Sequence, residues 1–150
     1  MLQLDLLQHR DNLQLKTESS RKYIFDPIRK KYLVLQPEEF VRQLILQHFL
    51  QIQSYNANRI SVERSLRVNT LLKRCDILIY DLKMNPWLLV ECKAPEVAIS
   101  QATFDQIARY NMPLRVSYLM VSNGLQSFIC EMNYETESWK FLQELPSYPG

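Results

Sequence analysis

Residues 74 to 93 read RCDILIYDLKMNPWLLVECK, two apolar runs of strand character around a polar turn. The first run carries Asp76 and the second carries Glu91 and Lys93. Charged groups inside runs this apolar are costly unless something pairs them or a site uses them. With the two-residue period of a strand, Asp76 shares a face with Leu78 and Tyr80, while Glu91 and Lys93 share one with Trp87 and Leu89. If Tyr80 and Trp87 close the turn of an antiparallel pair, Leu78 lies opposite Leu89 and Asp76 opposite Glu91. Like charges at that spacing repel, and a cation between them reverses the sign.

The rest of the chain places these strands in a larger order. Pro37 followed by Glu38 and Glu39 predicts a helix start, and Val41, Leu44, Ile45, Phe49 and Ile52 continue it to about Ser54 with one buried face. The segments RISVERSLRV, RCDILIYD and WLLVECKA read as strands, a second helix runs from about Ala98 to Tyr110, and VSYLMVS and SFICEMNYE make two more strands around the turn pair Asn123-Gly124. Helix, three strands, helix and strand predict an α+β domain, a mixed sheet flanked by helices with an αβββαβ core over 37–135 and a right-handed crossover. Residues 1–36 read as an amino-terminal hairpin extension and 136–150 as a loose tail, all within one domain.

Composition excludes some classes. Cys75, Cys92 and Cys130 are odd in number and lack CxxC spacing, so neither a disulfide framework nor a zinc site is expected. A reduced, cytoplasmic protein follows from that, together with an amino terminus unlike a signal peptide and no run of membrane-spanning length. Neither His9 nor His48 has a metal-ligand partner at suitable spacing, and His48 is expected at the core margin. A net charge of +2 permits nucleic-acid binding without demanding it. Arg29 to Lys31, Arg64 and Arg74 are the candidate phosphate contacts, with solvated charge as the alternative reading.

Two carboxylates with the Cys92 main-chain carbonyl form a hard oxygen set suited to Mg2+ or Mn2+, and Lys93 beside them can act on an attacking water. A helical wheel puts Glu38 on the buried side near Val41 and Ile45, and Glu39 away from it. Gln106 and Tyr110 lie one turn apart on the second helix, facing one ligand or one neighbour. The same three charges can also be read as the solvated face of a surface hairpin, and Glu38 and Glu39 as acids that complement a helix dipole.

Glutamate on the first helix, Asp76, the triplet Glu91-Cys92-Lys93 and the Gln106/Tyr110 pair resemble the PD-(D/E)XK nuclease superfamily. The wording FDPIRKKYLVLQPEEFVRQ, KRCDILIYD, VECKAP and FDQIARYN is similar to stand-alone proteins related to the amino-terminal nuclease domain of type I restriction enzyme R subunits, over roughly residues 23 to 135. That resemblance implies a restriction-endonuclease-like fold, Asp76 and Glu91 as metal ligands, Lys93 as the catalytic lysine, Glu38 as an accessory acid, and Gln106 and Tyr110 as supports. Cys75 stands where the family often has proline, and the chain holds two glycines and no GxxxxGK loop. DNA rather than RNA is the expected polymer, with a protein partner supplying targeting or motor activity. The opposing expectation is a non-catalytic nucleic-acid-binding or assembly module that keeps the fold.

Overall fold

A computed structural model of the chain describes residues 2–150. Its first helix, α1 (Pro37–Gln51), starts with proline in the first turn, where a missing N–H costs nothing, and has Glu38 and Glu39 at its positive end. It ends three residues earlier than the apolar spacing predicts. Every side chain from Val41 to Leu46 is buried, Arg42 and Gln43 included, so α1 is enclosed on more than one side. The central sheet covers one side, and a 3-10 segment (Leu6–Asn12) and a small antiparallel sheet of β1 (Leu15–Glu18), β2 (Arg21–Asp26) and β3 (Lys31–Val34) cover others. The expected amino-terminal hairpin is therefore β1 and β2 with a third strand added.

The central sheet holds β4 (Ile60–Val68), β5 (Leu71–Tyr80), β6 (Pro86–Cys92), β7 (Tyr118–Ser122), β8 (Ser127–Asn133) and β9 (Ser138–Phe141), in that spatial order. Only β6 and β7 are parallel, and α2 (Gln101–Asn111) makes the crossover between them. Ser100 caps α2 by accepting from the Thr103 N–H at 3.1 Å, so the helix starts at Gln101, three residues after the predicted Ala98. The element order is the αβββαβ sequence expected, and the fold is α+β. One apolar core fills the space between the sheet and α1 and a second the space between the sheet and α2. Among the described residues no helix is long and apolar enough to cross a membrane.

Two expectations are corrected. Leu78 does pair with Leu89, but a bulge between Ile79 and Tyr80 sets Tyr80 against Pro86 rather than Trp87. Trp87 then turns into the α1 core while Leu89 stays in the α2 core, so the two do not share a face. The segment 136–150 is not a loose tail. It forms β9 against β8, and its far end is held by Tyr148, whose hydroxyl donates to the Tyr80 carbonyl at 2.6 Å and whose ring meets Trp87 at 5.3 Å. Tyr55 donates to the Pro146 carbonyl at 2.6 Å. Proline-rich spelling concealed an aromatic anchor.

His48 is buried and lies 3.0 Å from His9, Nδ1 to Nε2, joining α1 to the 3-10 segment. Burial lowers both imidazole pKa values below 6.5, the nearby His9 lowers that of His48 further, and Asp5 opposes the shift at His9. A depressed folded-state pKa gives stability that is present above the unfolded value and is lost as pH falls through the folded one. Amides of Leu6–Asn12 are therefore expected to exchange faster at pH 5.5 than at pH 7.5 after correction for intrinsic rates. The difference should vanish in His9→Gln/His48→Gln; equal protection at both pH values in the wild type would contradict this.

Candidate active site

The site begins where two strands part. β5 and β6 pair down to Ile77 opposite Val90, and the next position on each strand is Asp76 and Glu91. There β5 and β6 separate, and the Cys92 N–H finds the Asp76 carboxylate, donating to Oδ2 at 2.7 Å. β6 meanwhile stays bound to β7, with the Lys93 N–H donating to the Ser122 carbonyl at 2.8 Å. A side chain thus replaces a ladder bond at the fork. The flanking Cys75 and Cys92 are buried, and burial pushes the Cys75 thiol up to about 11 and the Cys92 thiol well above its usual value, so both sulfurs are inert filling.

Glu91 and Lys93 lie on the α2 side of the sheet. With Gln106, Tyr110, Thr103 and Asn111 they line a cleft of about 280 Å³. The sequence expectation brought these four residues, Glu91, Lys93, Gln106 and Tyr110, to one place, and the geometry does so. Lys93 Nζ is 3.7 Å from Glu91 Oε1. Tyr110 is fixed by a residue that the sequence reading passed over: buried Lys73 donates to its main-chain carbonyl at 2.5 Å and sits 3.2 Å from the centre of its ring. The carbonyl lies in the last turn of α2, the negative end of the helix, which suits an ammonium.

On the α1 side the first helical turn corrects the wheel. Glu38 is exposed, and its charge reaches Glu91; Glu39 is the half-buried one and accepts from Arg29 at 3.1 Å, Arg42 at 2.8 Å and Gln43 at 3.0 Å. The wheel assumed a single buried face, whereas α1 also packs its Glu39, Arg42 and Gln43 side against the end of β2, where Asp26 is fully buried. Arg29 donates to Asp26 at 2.7 Å as well as to Glu39, so it is an internal brace rather than a free phosphate contact. Lys30, at φ 56° in the β2–β3 turn, and Arg64 are exposed, and Arg74 is 73% exposed.

Arg42 and Glu63 complete the arrangement, and the sequence reading missed the first of them. The Arg42 guanidinium, 5% exposed as a residue, reaches Glu63 at 2.5 Å and Asp76 at 3.4 Å. Glu39 and Arg42 at i and i+3 on one helix were the available signal. Glu63 had been considered only as part of a surface cluster; it sits on β4 across from Asp76, between the Val62–Ile77 and Arg64–Cys75 pairs, with a left-handed φ of 57°. A non-glycine residue held there is strained, and such strain persists where the surroundings over-determine it. Arg74 pairs with the other oxygen of Glu63, which gives the chain of alternating charge Asp26, Arg29, Glu39, Arg42, Glu63, Arg74.

Electrostatics follow from this placement. Burial raises the Glu91 carboxyl to about 7, the Asp76 charge pushes it the same way, Lys93 pulls it back and Glu38 adds a little. Asp76 is raised by burial first, with the Cys92 N–H and Arg42 opposing and Glu63 reinforcing. Arg42 already serves Glu39 and Glu63 at shorter range, so its 3.4 Å approach leaves Asp76 incompletely balanced. Two crowded, half-buried carboxylates suit a hard divalent cation. Among the described residues no three His, Cys, Asp or Glu side chains form a cage, so such an ion would need main-chain, water or substrate oxygens as well, as Mg2+ ordinarily does.

An α+β domain with paired carboxylates at a strand fork, a lysine beside them and a cleft under a crossover helix is the class that fold and site define. The chain belongs to the family described as type I restriction enzyme R protein N terminus, which matches residues 37–146. That match starts at the first residue of α1 and runs past β9, into the segment expected to be loose. It points to a nuclease-like role in restriction. No curated protein matches the chain.

A raised folded-state pKa gives stability that is present below the unfolded value and lost as pH rises through the folded one, here between the ordinary glutamate value of ~4.3 and about 7. Glu91→Gln should therefore melt later than wild type above pH 7 in EDTA, by on the order of 2 kcal/mol, and the two should converge near pH 4. Identical melting across that range would show that the repulsion is absent.

Proposed function

We propose that this domain is a metal-dependent nuclease of the PD-(D/E)XK type that hydrolyses phosphodiester bonds in DNA. The observation that carries the reading is the fork itself, which sets half-buried Asp76 and Glu91 at adjoining strand positions with Lys93 at 3.7 Å from Glu91 in a cleft. Asp76, Glu91 and the Cys92 main-chain carbonyl would hold Mg2+ or Mn2+. When bound, the ion supplies charge neutralisation at a phosphoryl oxygen and acidity to a coordinated water.

The chain's own groups do the rest. Lys93 orients the attacking water and offsets charge growing on the phosphoryl oxygens. Gln106 offers an amide to a substrate oxygen, and Tyr110, braced by Lys73, forms the wall that holds the scissile strand. Glu38, whose charge reaches Glu91, would serve as the accessory acid. Glu39, the alternative for that role, is already bound to two arginines and a glutamine. Targeting or translocation would come from outside this domain, in keeping with a family named for one part of a larger enzyme.

One observation favours a second reading, a nucleic-acid-binding or assembly module with a silent site: Arg42 already lends Asp76 a positive neighbour. The two readings separate in one experiment. Cleavage of duplex DNA in Mn2+ is expected of the wild type and should be lost in both Lys93→Ala and Glu91→Ala. Calorimetry should find Mn2+ affinity nearly intact in Lys93→Ala, since a cation has been removed, and lost in Glu91→Ala, since a ligand has. A wild type that leaves every substrate uncut at high concentration while still binding DNA would establish the module instead.

A further inference from the structure

β4 and β5 continue well past the fork. From Arg64 opposite Cys75 to Val68 opposite Leu71 they pair only with each other, because β6 meets β5 no further than Ile77. This two-stranded arm closes on Asn69-Thr70, with Asn69 at φ 57°. Strand alternation gives the arm two different faces. One packs on the α2 core through Leu66, Val68 and Cys75, and is pinned by Lys73 to the Tyr110 carbonyl. The other presents Ser65, Arg67, Leu72 and Arg74, all exposed, and at its tip Leu71 and Leu72 are 55% and 60% exposed.

The arm is also where positive charge is segregated. From Arg64 to Cys75 the sequence holds Arg64, Arg67, Lys73 and Arg74 and no acid, in a chain whose net charge is +2. Among the described residues Arg67 makes no ion pair, whereas Arg29 and Arg42 are bound internally. Arg74 is held by Glu63 at the base of the arm, whereas no ion pair among the described residues accounts for Arg67, exposed on a strand pair of its own.

We propose that this arm is a docking ribbon for double-stranded DNA, with phosphates on Arg67 and Arg74 and the duplex led toward Asp76. Charge complementarity selects a polyanion. The absence of any aromatic side chain from Arg64 to Cys75 argues against single strands, which are held by stacking. A two-stranded ribbon matches the B-form major groove, which is ~12 Å wide, and not the deep, narrow one of duplex RNA. At the base of the arm, Arg74 is joined through Glu63 and Arg42 to Asp76, so a backbone held there lies beside the fork.

The inference rests on the nuclease reading for its purpose, and its test does not use cleavage. Fluorescence anisotropy of a labelled short duplex, in EDTA, is followed against salt for the full chain. Arg67→Ala should weaken binding about tenfold at low salt and reduce the slope of log K against log salt by about 1, and Arg67→Ala/Arg74→Ala should reduce it by about 2. Melting temperature and Mn2+ affinity of Arg67→Ala should match the wild type. Unchanged duplex affinity and slope in both variants, or tighter wild-type binding to the matching single strand, would overturn the proposal. A wild type that binds duplex through the arm and never cuts it would sink the nuclease reading and leave this one standing.

Discussion

The hydrogen bond from the Cys92 N–H to the Asp76 carboxylate, at 2.7 Å, is the contact on which the rest of the site depends. An antiparallel ladder would ordinarily satisfy that N–H with a main-chain carbonyl. Using a side chain instead lets β5 leave β6 without abandoning a buried donor, whose loss would cost ~1–3 kcal/mol. The departure frees β5 to continue with β4 as an arm, and it leaves Glu91 at the end of β6 without a partner strand on that side. Burial then acts on two neighbouring carboxylates together.

Holding such charge in place requires a frame, and the ion-pair chain from Asp26 to Arg74 provides it. Three separate pieces contribute: the small amino-terminal sheet through Asp26 and Arg29, α1 through Glu39 and Arg42, and the β4–β5 pair through Glu63 and Arg74. Buried pairs of this kind add little net stability, because desolvation offsets attraction, yet removing one partner strands the other. Arg42 is the member with most to lose, since it alone touches Glu39, Glu63 and Asp76. Its role is geometric: it fixes where Asp76 stands and does not neutralise it fully.

Much of this was legible in the sequence, for reasons that can be named. Strand alternation and apolar company put Asp76, Glu91 and Lys93 together, and the i, i+4 spacing put Gln106 and Tyr110 on the helix above them. These local periodicities hold for Glu91, Lys93, Gln106 and Tyr110, which line one cleft, while Asp76 stands at the fork outside that lining. Three things were not readable. A single-face wheel mistook Glu38 for the buried acid because it could not know that the small sheet covers a second side of α1. The bulge at Ile79 and Tyr80 reversed Trp87, since one extra residue inverts every side chain beyond it. Lys73 and Arg42 act across chain separations of 37 and 34 residues, where no pattern connects them to Tyr110 and Asp76.

The central claim is that the fork between β5 and β6 holds a divalent ion. Anomalous diffraction from crystals soaked in Mn2+ tests it most directly. The account predicts one strong peak within coordination distance of an Asp76 oxygen, a Glu91 oxygen and the Cys92 main-chain carbonyl, with Lys93 alongside. A peak elsewhere, or none with Arg42 closed onto Asp76 in its place, would contradict it.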